Sequence, residues 1–246
     1  EIDYIIGSPK ITPKNEEKHY VEKIWRLPEI TQCFTPPDFD VTINSLPAKK
    51  NNFITFGCVN KISKINDAVI TLWSKILLSI PNSKLLLKNK DLEDKKIIEN
   101  IFVRFGKQNI NKDRLILRGE SRTRKELLKV YNEIDIALDP FPFQGNTTTC
   151  ESIWMGVPVI ILKGNRWLFH FGESINSCLN MHDWIAENHD AYVSKAIKFS
   201  SNLNQLSEIR MNLRDVALQS PVFDAPRLGE HFNLMFWDMW KKFNNQ

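Results

Sequence analysis

From residue 52 onward the chain alternates between short apolar runs and longer stretches whose apolar residues fall three and four apart, the pattern of strands separated by helices. Residues 53–57, 84–87, 115–117 and 134–138 read as strands, and a fifth apolar run follows Gly156 and Pro158 as far as Leu162. Between them, Val69, Leu72, Trp73, Ile76 and Ile80 recur at helical spacing behind Asn66 or Asp67 as cap. Ile97, Ile101 and Phe105 mark a second helix, and residues 123–131 a third. A proline-punctuated turn ending in Gln144, Gly145 and Asn146 leads into a helix that opens on Thr147, Thr148 and Thr149. Strands joined by helix-length connections predict a Rossmann-like α/β fold, a parallel sheet with helices on both faces. After Leu162 the pattern is helical over 170–179, 189–200 and 203–218, and it ends in a helical C-terminal tail. There Leu228, Phe232, Phe236, Met239 and Trp240 form a broad apolar stripe that needs burial against the sheet or a neighbouring domain.

The first fifty residues behave differently. Residues 3–7 are strand-like, and 15–27 read as a helix with Tyr20, Ile24 and Leu27 on one face. From 28 to 50 the prolines at 28, 36, 37 and 47 and the loss of periodicity predict a linker lying on a surface. A boundary at that point divides the chain into residues 1–50 and a larger domain, 51–246.

Composition narrows the function classes. With 246 residues, 42% apolar and 25% charged, the chain can bury a sizeable core. Its 33 Lys and Arg against 29 Asp and Glu leave a net charge of +4. That charge is scattered rather than clustered, which suits a small anionic ligand and argues against nucleic acid. Cys33, Cys58, Cys150 and Cys178 have neither a metal-binding nor a disulfide-framework spacing, so a reducing, cytoplasmic setting is the default. No metal is expected, and no apolar run approaches the length of a membrane span. The opening Glu1-Ile-Asp-Tyr4 has neither an initiator Met nor a signal pattern, and reads as the start of a piece of a longer protein.

In an open parallel sheet, ligands bind beyond the carboxyl ends of the strands. Three loops qualify here, 57–65, 118–124 and 139–149. They bring Asn60, Lys61, Lys64, Arg118, Arg122 and Arg124 to one rim, together with Gly145, Asn146 and the threonines. The first turn of a helix carries unpaired N–H groups and partial positive charge, so the mouth at Thr147 to Thr149 can receive a pyrophosphate. Glu151, one turn inside, suits a ribose diol, or equally a surface acid favoured by the helix dipole. Walker A, GxGxxG, GxSxG and HExxH patterns are all missing, so the zinc hydrolase and dinucleotide oxidoreductase readings drop out.

Ile134-Asp-Ile-Ala-Leu-Asp139 and Gln144-Gly-Asn-Thr-Thr-Thr-Cys-Glu-Ser-Ile-Trp-Met-Gly-Val-Pro158 together resemble the donor-binding core of the O-linked N-acetylglucosamine transferase family, the SPINDLY-like glycosyltransferases of GT-B architecture. The resemblance extends through residues 3–7, Thr55-Phe-Gly-Cys-Val-Asn-Lys-Ile-Ser-Lys-Ile65, Ile185-Ala-Glu-Asn188, Ser220-Pro-Val-Phe-Asp224 and the Trp-rich terminal helix. It implies that this chain is the C-terminal lobe of a GT-B enzyme. The donor is then a UDP-sugar, usually UDP-N-acetylglucosamine, used without a cofactor or required metal, and the acceptor a Ser or Thr hydroxyl of a protein, glycosylated with inversion. Lys64 matches the family lysine on the diphosphate, Thr147 and Thr148 the threonines at the helix start, and Glu151 the ribose-binding acid, normally Asp. Asn146 stands where animal members have His, Leu127 where a donor-contacting His is common, and His170 where Arg is frequent. These departures bear on which sugar is held. The family's general-base histidine belongs to an amino-terminal lobe and its peptide-reading helical repeats lie further upstream. Residues 1–50 would then be the tail of that lobe and the interlobe linker, and the chain alone is expected to bind nucleotide but transfer little. A non-catalytic nucleotide-sugar-binding module and a GT-B sugar-nucleotide epimerase remain the alternatives.

Overall fold

The computed structural model describes residues 2–245. Six parallel strands form the main sheet: β3 (Thr55–Cys58), β4 (Lys84–Lys88), β5 (Leu115–Arg118), β6 (Ile136–Leu138), β7 (Val159–Leu162) and β8 (Ile185–Ala186). Their spatial order is β5-β4-β3-β6-β7-β8. The chain therefore winds outward from β3 in one direction, then returns to build from β6 in the other. The crevice between β3 and β6 is the switch point at which such sheets bind ligands. The two-residue β8 is one strand more than the periodicity predicts, because a run that short has no readable period.

Side chains alternate across the sheet, and each face has its own core. Phe56, Leu85, Leu87, Ile136, Leu138 and Ile160 pack on α2 (Asp67–Ser79), α3 (Lys95–Gly106) and α7 (His189–Ser201), with Trp73, Phe105 and Tyr192 fully buried. Leu86, Ala137, Val159 and Ile161 face the opposite way, onto α4 (Arg124–Val130), α5 (Thr147–Trp154), α6 (Phe171–Cys178) and α8 (Leu203–Leu218). The helices begin where cap chemistry directs: the side chains of Asn66, Asp94, Thr123 and Asn188 each accept a first-turn N–H. Gly156 ends the α5 region at φ +71, where a side chain would also meet the Arg210 carbonyl oxygen, and this turn launches β7.

Two expectations about the amino-terminal segment are corrected. Residues 15–27 are not one helix: a 3-10 turn, Lys14–His19, is followed by β2 (Lys23–Arg26), which pairs in parallel with β1 (Tyr4–Gly7). Tyr20, Ile24 and Leu27 fit a helical face by spacing, but the bulk of Ile24 and Trp25 suits a strand, and the Trp25 ring meets Tyr4 edge-on across the pair. The proline-rich 28–50 stretch contains one short helix, α1 (Pro47–Asn51), and is packed rather than merely laid on a surface. Ile30, Phe34 and Val41 enter one core and Leu46 and Ala48 the other. The fully buried Arg210 guanidinium ties Asn44 to the Ile134 carbonyl.

The terminal stripe is only partly covered by this chain, with Leu228, Phe232 and Met239 half-buried. In α9 (Ala225–Asn244) Met235 is buried, whereas Phe236 and Trp240 are 57% and 58% exposed. Among the described residues no helix is long and apolar enough to cross a membrane. All four cysteines are free thiols.

Candidate nucleotide-binding site

The loop after β3 and the loop after β6 meet at the switch point through one side chain. Asn60 is buried, and its Oδ1 accepts from both the Lys64 ammonium and the Thr148 hydroxyl, each at 3.1 Å. Its amide nitrogen faces Asp139 Oδ1 at 3.5 Å. Lys64, at the end of a 3-10 turn (Ile62–Lys64), also donates to the Gln144 carbonyl at 2.9 Å and lies over the Phe143 ring. The ammonium thus stands beside the mouth of α5. Burial lowers the Lys64 pKa, with Asp139 pulling the other way.

That mouth is open. No side chain caps α5, and the N–H groups of Thr147 and Thr148 meet no acceptor among the described residues. Asn146, in the cap position, turns its amide to Gln32 instead. The loop leading in is held from beneath by Asp139, whose two carboxylate oxygens accept the Gly145 N–H at 2.8 and 3.0 Å. Burial pushes the Asp139 carboxyl up to about 7, against the Gly145 N–H, Lys64 and Asn60, which favour its charge. Gly145 allows this closeness: a Cβ there would lie 2.6 Å from Thr148 Oγ1 and 2.8 Å from Asp139 Oδ1. Gln144 is buried and structural, donating to the Leu162 carbonyl while its Oε1 accepts the Gly172 N–H.

Two clefts adjoin along this rim. One, of about 460 Å³, is lined by Asn60, Lys61, Lys64, Asn146, Thr147 and Thr148, with Trp167 and Phe171 as a wall. The other, of about 360 Å³, shares Val59, Asn89 and Thr148 with it and continues past Arg122, Arg124 and Glu151. An anion at the helix mouth and a group extended toward Glu151 would occupy both. Glu151 is buried; burial raises its pKa, with Arg124 opposing from 3.9 Å. A larger cavity of about 660 Å³ lies elsewhere, between residues 179–184 and α8. Asp183 and Glu208 line it without a lysine or arginine, so it is chemically unsuited to a diphosphate.

The residues singled out from sequence therefore divide. Asn60, Lys61, Lys64, Asn146, Thr147 and Thr148 share the first cleft, and Arg122, Arg124 and Glu151 border the second. Gly145 shapes the loop from below. Thr149 points inward, its buried hydroxyl without a partner, and Arg118 is committed to Glu133. His170 is buried away from the rim, with both ring nitrogens engaged by Glu16 and Glu173. Asp139 was the residue missed as part of the site. The available signal was its place at the end of β6, four residues after the buried Asp135 that accepts from Ala48 and Thr55. Among the described residues no group of three or more His, Cys, Asp or Glu is placed to hold a metal ion.

Comparison with known proteins fits this geometry. The profile of Glycosyl transferase family 41 matches residues 35–231. A probable UDP-N-acetylglucosamine–peptide N-acetylglucosaminyltransferase SPINDLY from Arabidopsis thaliana is 32% identical over 242 residues, covering 98% of this chain and 26% of the relative. The corresponding SPINDLY protein of Solanum lycopersicum is 31% identical with the same coverage. The chain thus spans about a quarter of the length of these relatives. Among solved structures, a mutant O-GlcNAc transferase of Thermobaculum terrenum superposes with a TM-score of 0.90 at 28% identity, covering 98% of this chain and 45% of the other. TarM superposes at 0.61 with 12% identity over 96% of this chain and 43% of the other, a likeness of fold alone.

Proposed function

Because the chain belongs to glycosyl transferase family 41, we propose that it is the donor-binding part of an enzyme that moves N-acetylglucosamine from UDP-N-acetylglucosamine to a Ser or Thr hydroxyl of a protein. The observation that carries this reading is the Lys64 ammonium held through Asn60 against the uncapped mouth of α5. In it the diphosphate lies on the Thr147 and Thr148 N–H groups with Lys64 at its side, and the nucleoside extends toward Glu151. The sugar lies on the side of Trp167 and Phe171.

In the transfer the bond between the anomeric carbon and the diphosphate oxygen breaks as the acceptor oxygen bonds to that carbon from the opposite face. Negative charge then accumulates on the departing UDP. A fixed ammonium and fixed N–H dipoles bind that charge more strongly than they bind the intact donor, and this difference lowers the barrier. The acceptor proton passes to a base outside this chain. In this reading residues 1–50 end an amino-terminal lobe and connect it to the donor domain, 51–246. The acceptor cleft and any peptide-reading helical repeats belong to the remaining part of the protein, which we place in the cytoplasm. No metal is assigned a role.

Calorimetric titration with UDP tests this. The protein should bind it, and Lys64→Ala and Thr148→Val should each weaken binding by about 1 to 3 kcal/mol, the scale of a charge-assisted hydrogen bond. Unchanged affinity in both variants would remove the assignment.

A further inference from the structure

His170 is buried behind the wall that Trp167, Leu168 and Phe171 give the same cleft. Its Nε2 lies 3.0 and 3.1 Å from the two carboxylate oxygens of Glu16, and its Nδ1 lies 3.3 Å from Glu173 Oε2. All three side chains are buried. A neutral imidazole has a single N–H, so one of its nitrogens would turn a lone pair toward a carboxylate oxygen. With both carboxyls ionised, two acceptors on opposite sides of the ring require the doubly protonated form.

The ring also joins parts of the molecule that are distant in sequence. Glu16 belongs to the 3-10 turn Lys14–His19 of the amino-terminal segment, whereas His170 ends the Trp167–Phe169 turn and directly precedes α6. Trp167, Leu168 and Phe171 line the donor cleft. The same stretch is bonded to Gln144 twice, Gln144 N–H to the Leu168 carbonyl and Gly172 N–H to Gln144 Oε1. The Gln144 carbonyl in turn receives Lys64.

We propose that His170 is a positioning residue: held as an imidazolium between Glu16 and Glu173, it pins the 167–172 wall, and through Gln144 the Lys64 ammonium, to the amino-terminal segment. The proposal rests on the donor reading of the cleft. It replaces direct contact of His170 with the donor by control of the wall that makes the contact. Burial by itself opposes a charged ring, but the hydrogen bonds to Glu173 and Glu16 and their charges outweigh it and raise the His170 pKa. The other charged and titratable groups around the latch are Lys10, 3.5 Å from Glu173, Lys163, whose charge also acts on Glu173, Tyr20, which lies in the field of Glu16, and His19 and Arg166, which line a cavity with Glu16. The two lysines share the negative charge of Glu173, whereas Glu16 faces the ring with both of its carboxylate oxygens.

The test follows the His170 ring by NMR across neutral and alkaline pH while UDP affinity is measured on the same samples. The ring should remain charged above its ordinary value of 6.5. Affinity should fall as pH rises through the ring's own titration step. Glu16→Gln should move the step and the fall together to lower pH. His170→Gln should show no step, and should bind about tenfold more weakly throughout if one buried charge-assisted contact is passed on to the cleft. A ring that titrates at or below 6.5, or a step that leaves UDP affinity flat, overturns the proposal. If the protein fails to bind UDP at all, the donor reading is what fails. Hydrogen-exchange protection of residues 14–19 across the same step then decides the latch, because loss of the proton must release that segment.

Discussion

Lys64 and Thr148, 84 positions apart in the chain, donate to the same atom, Oδ1 of Asn60, each at 3.1 Å. One buried amide thereby sets the spacing between a cation and a helix mouth, the two features to which the proposed function assigns a diphosphate.

Replacing that amide tests its role. In Asn60→Leu the ammonium and the Thr148 hydroxyl lose their shared acceptor, and Asp139 loses a donor. UDP affinity in calorimetry should drop by about 1 to 3 kcal/mol, even though the lysine and threonine are still present. Wild-type affinity would show that the two groups do not depend on Asn60 for their placement.

Gly145→Ala introduces a methyl group into the space held by Thr148 Oγ1, Thr149 Oγ1 and the Asp139 carboxylate, all within 2.8 Å of the new carbon. The loop must shift and pull its N–H away from Asp139. A stability loss of about 1 to 3 kcal/mol in urea denaturation should accompany weaker UDP binding.

The buried carboxyls give stability a pH dependence of definite sign. Burial raises Asp139 to about 7 and Asp135 to about 6, from an ordinary 3.8. Between those values the folded protein holds protons that the unfolded chain has released, so this stabilisation is complete below the ordinary value and is lost as pH rises through the folded ones. Asp139→Asn should flatten the upper part of the decline, between about 6 and 7. Denaturation midpoints measured across that window provide the check, and parallel curves for the two proteins would contradict the assignment.

Glu151 should matter to the ribose and not to the phosphates. Glu151→Ala should weaken UDP binding by about 1 to 2 kcal/mol and leave 2′,3′-dideoxyuridine diphosphate nearly unaffected. Equal losses for both ligands would assign the residue to local packing with Tyr131 and Arg124 instead.

Arg210 is a matter of fold rather than chemistry. Its guanidinium, fully buried, donates to Asn44 and to the Ile134 carbonyl, joining the 28–50 stretch to the strand that leads to the site. Arg210→Ala should cost about 3 kcal/mol or more by chemical denaturation, since the carbonyls it serves are left buried and unpaired.

Everything carried by local period and local chemistry was legible in the chain before folding was considered. The apolar runs of β3 to β7, the cap at Asn66, and the helix opening at Thr147 are each specified within a few neighbouring residues, because strand and helix periods and cap hydrogen bonds are short-range. The same holds for the loop and helix mouth of residues 144–151, which lie in one stretch. Long-range packing makes residues 23–26 a strand, since pairing with Tyr4–Gly7 overrules the helical spacing, and it draws 28–50 into both cores. It alone puts Asp139 beneath Gly145 and His170 between two glutamates, one of them 154 residues away. The protonation and orientation of such groups depend on partners and burial that arise only when remote segments meet, and no periodicity records which segments those are.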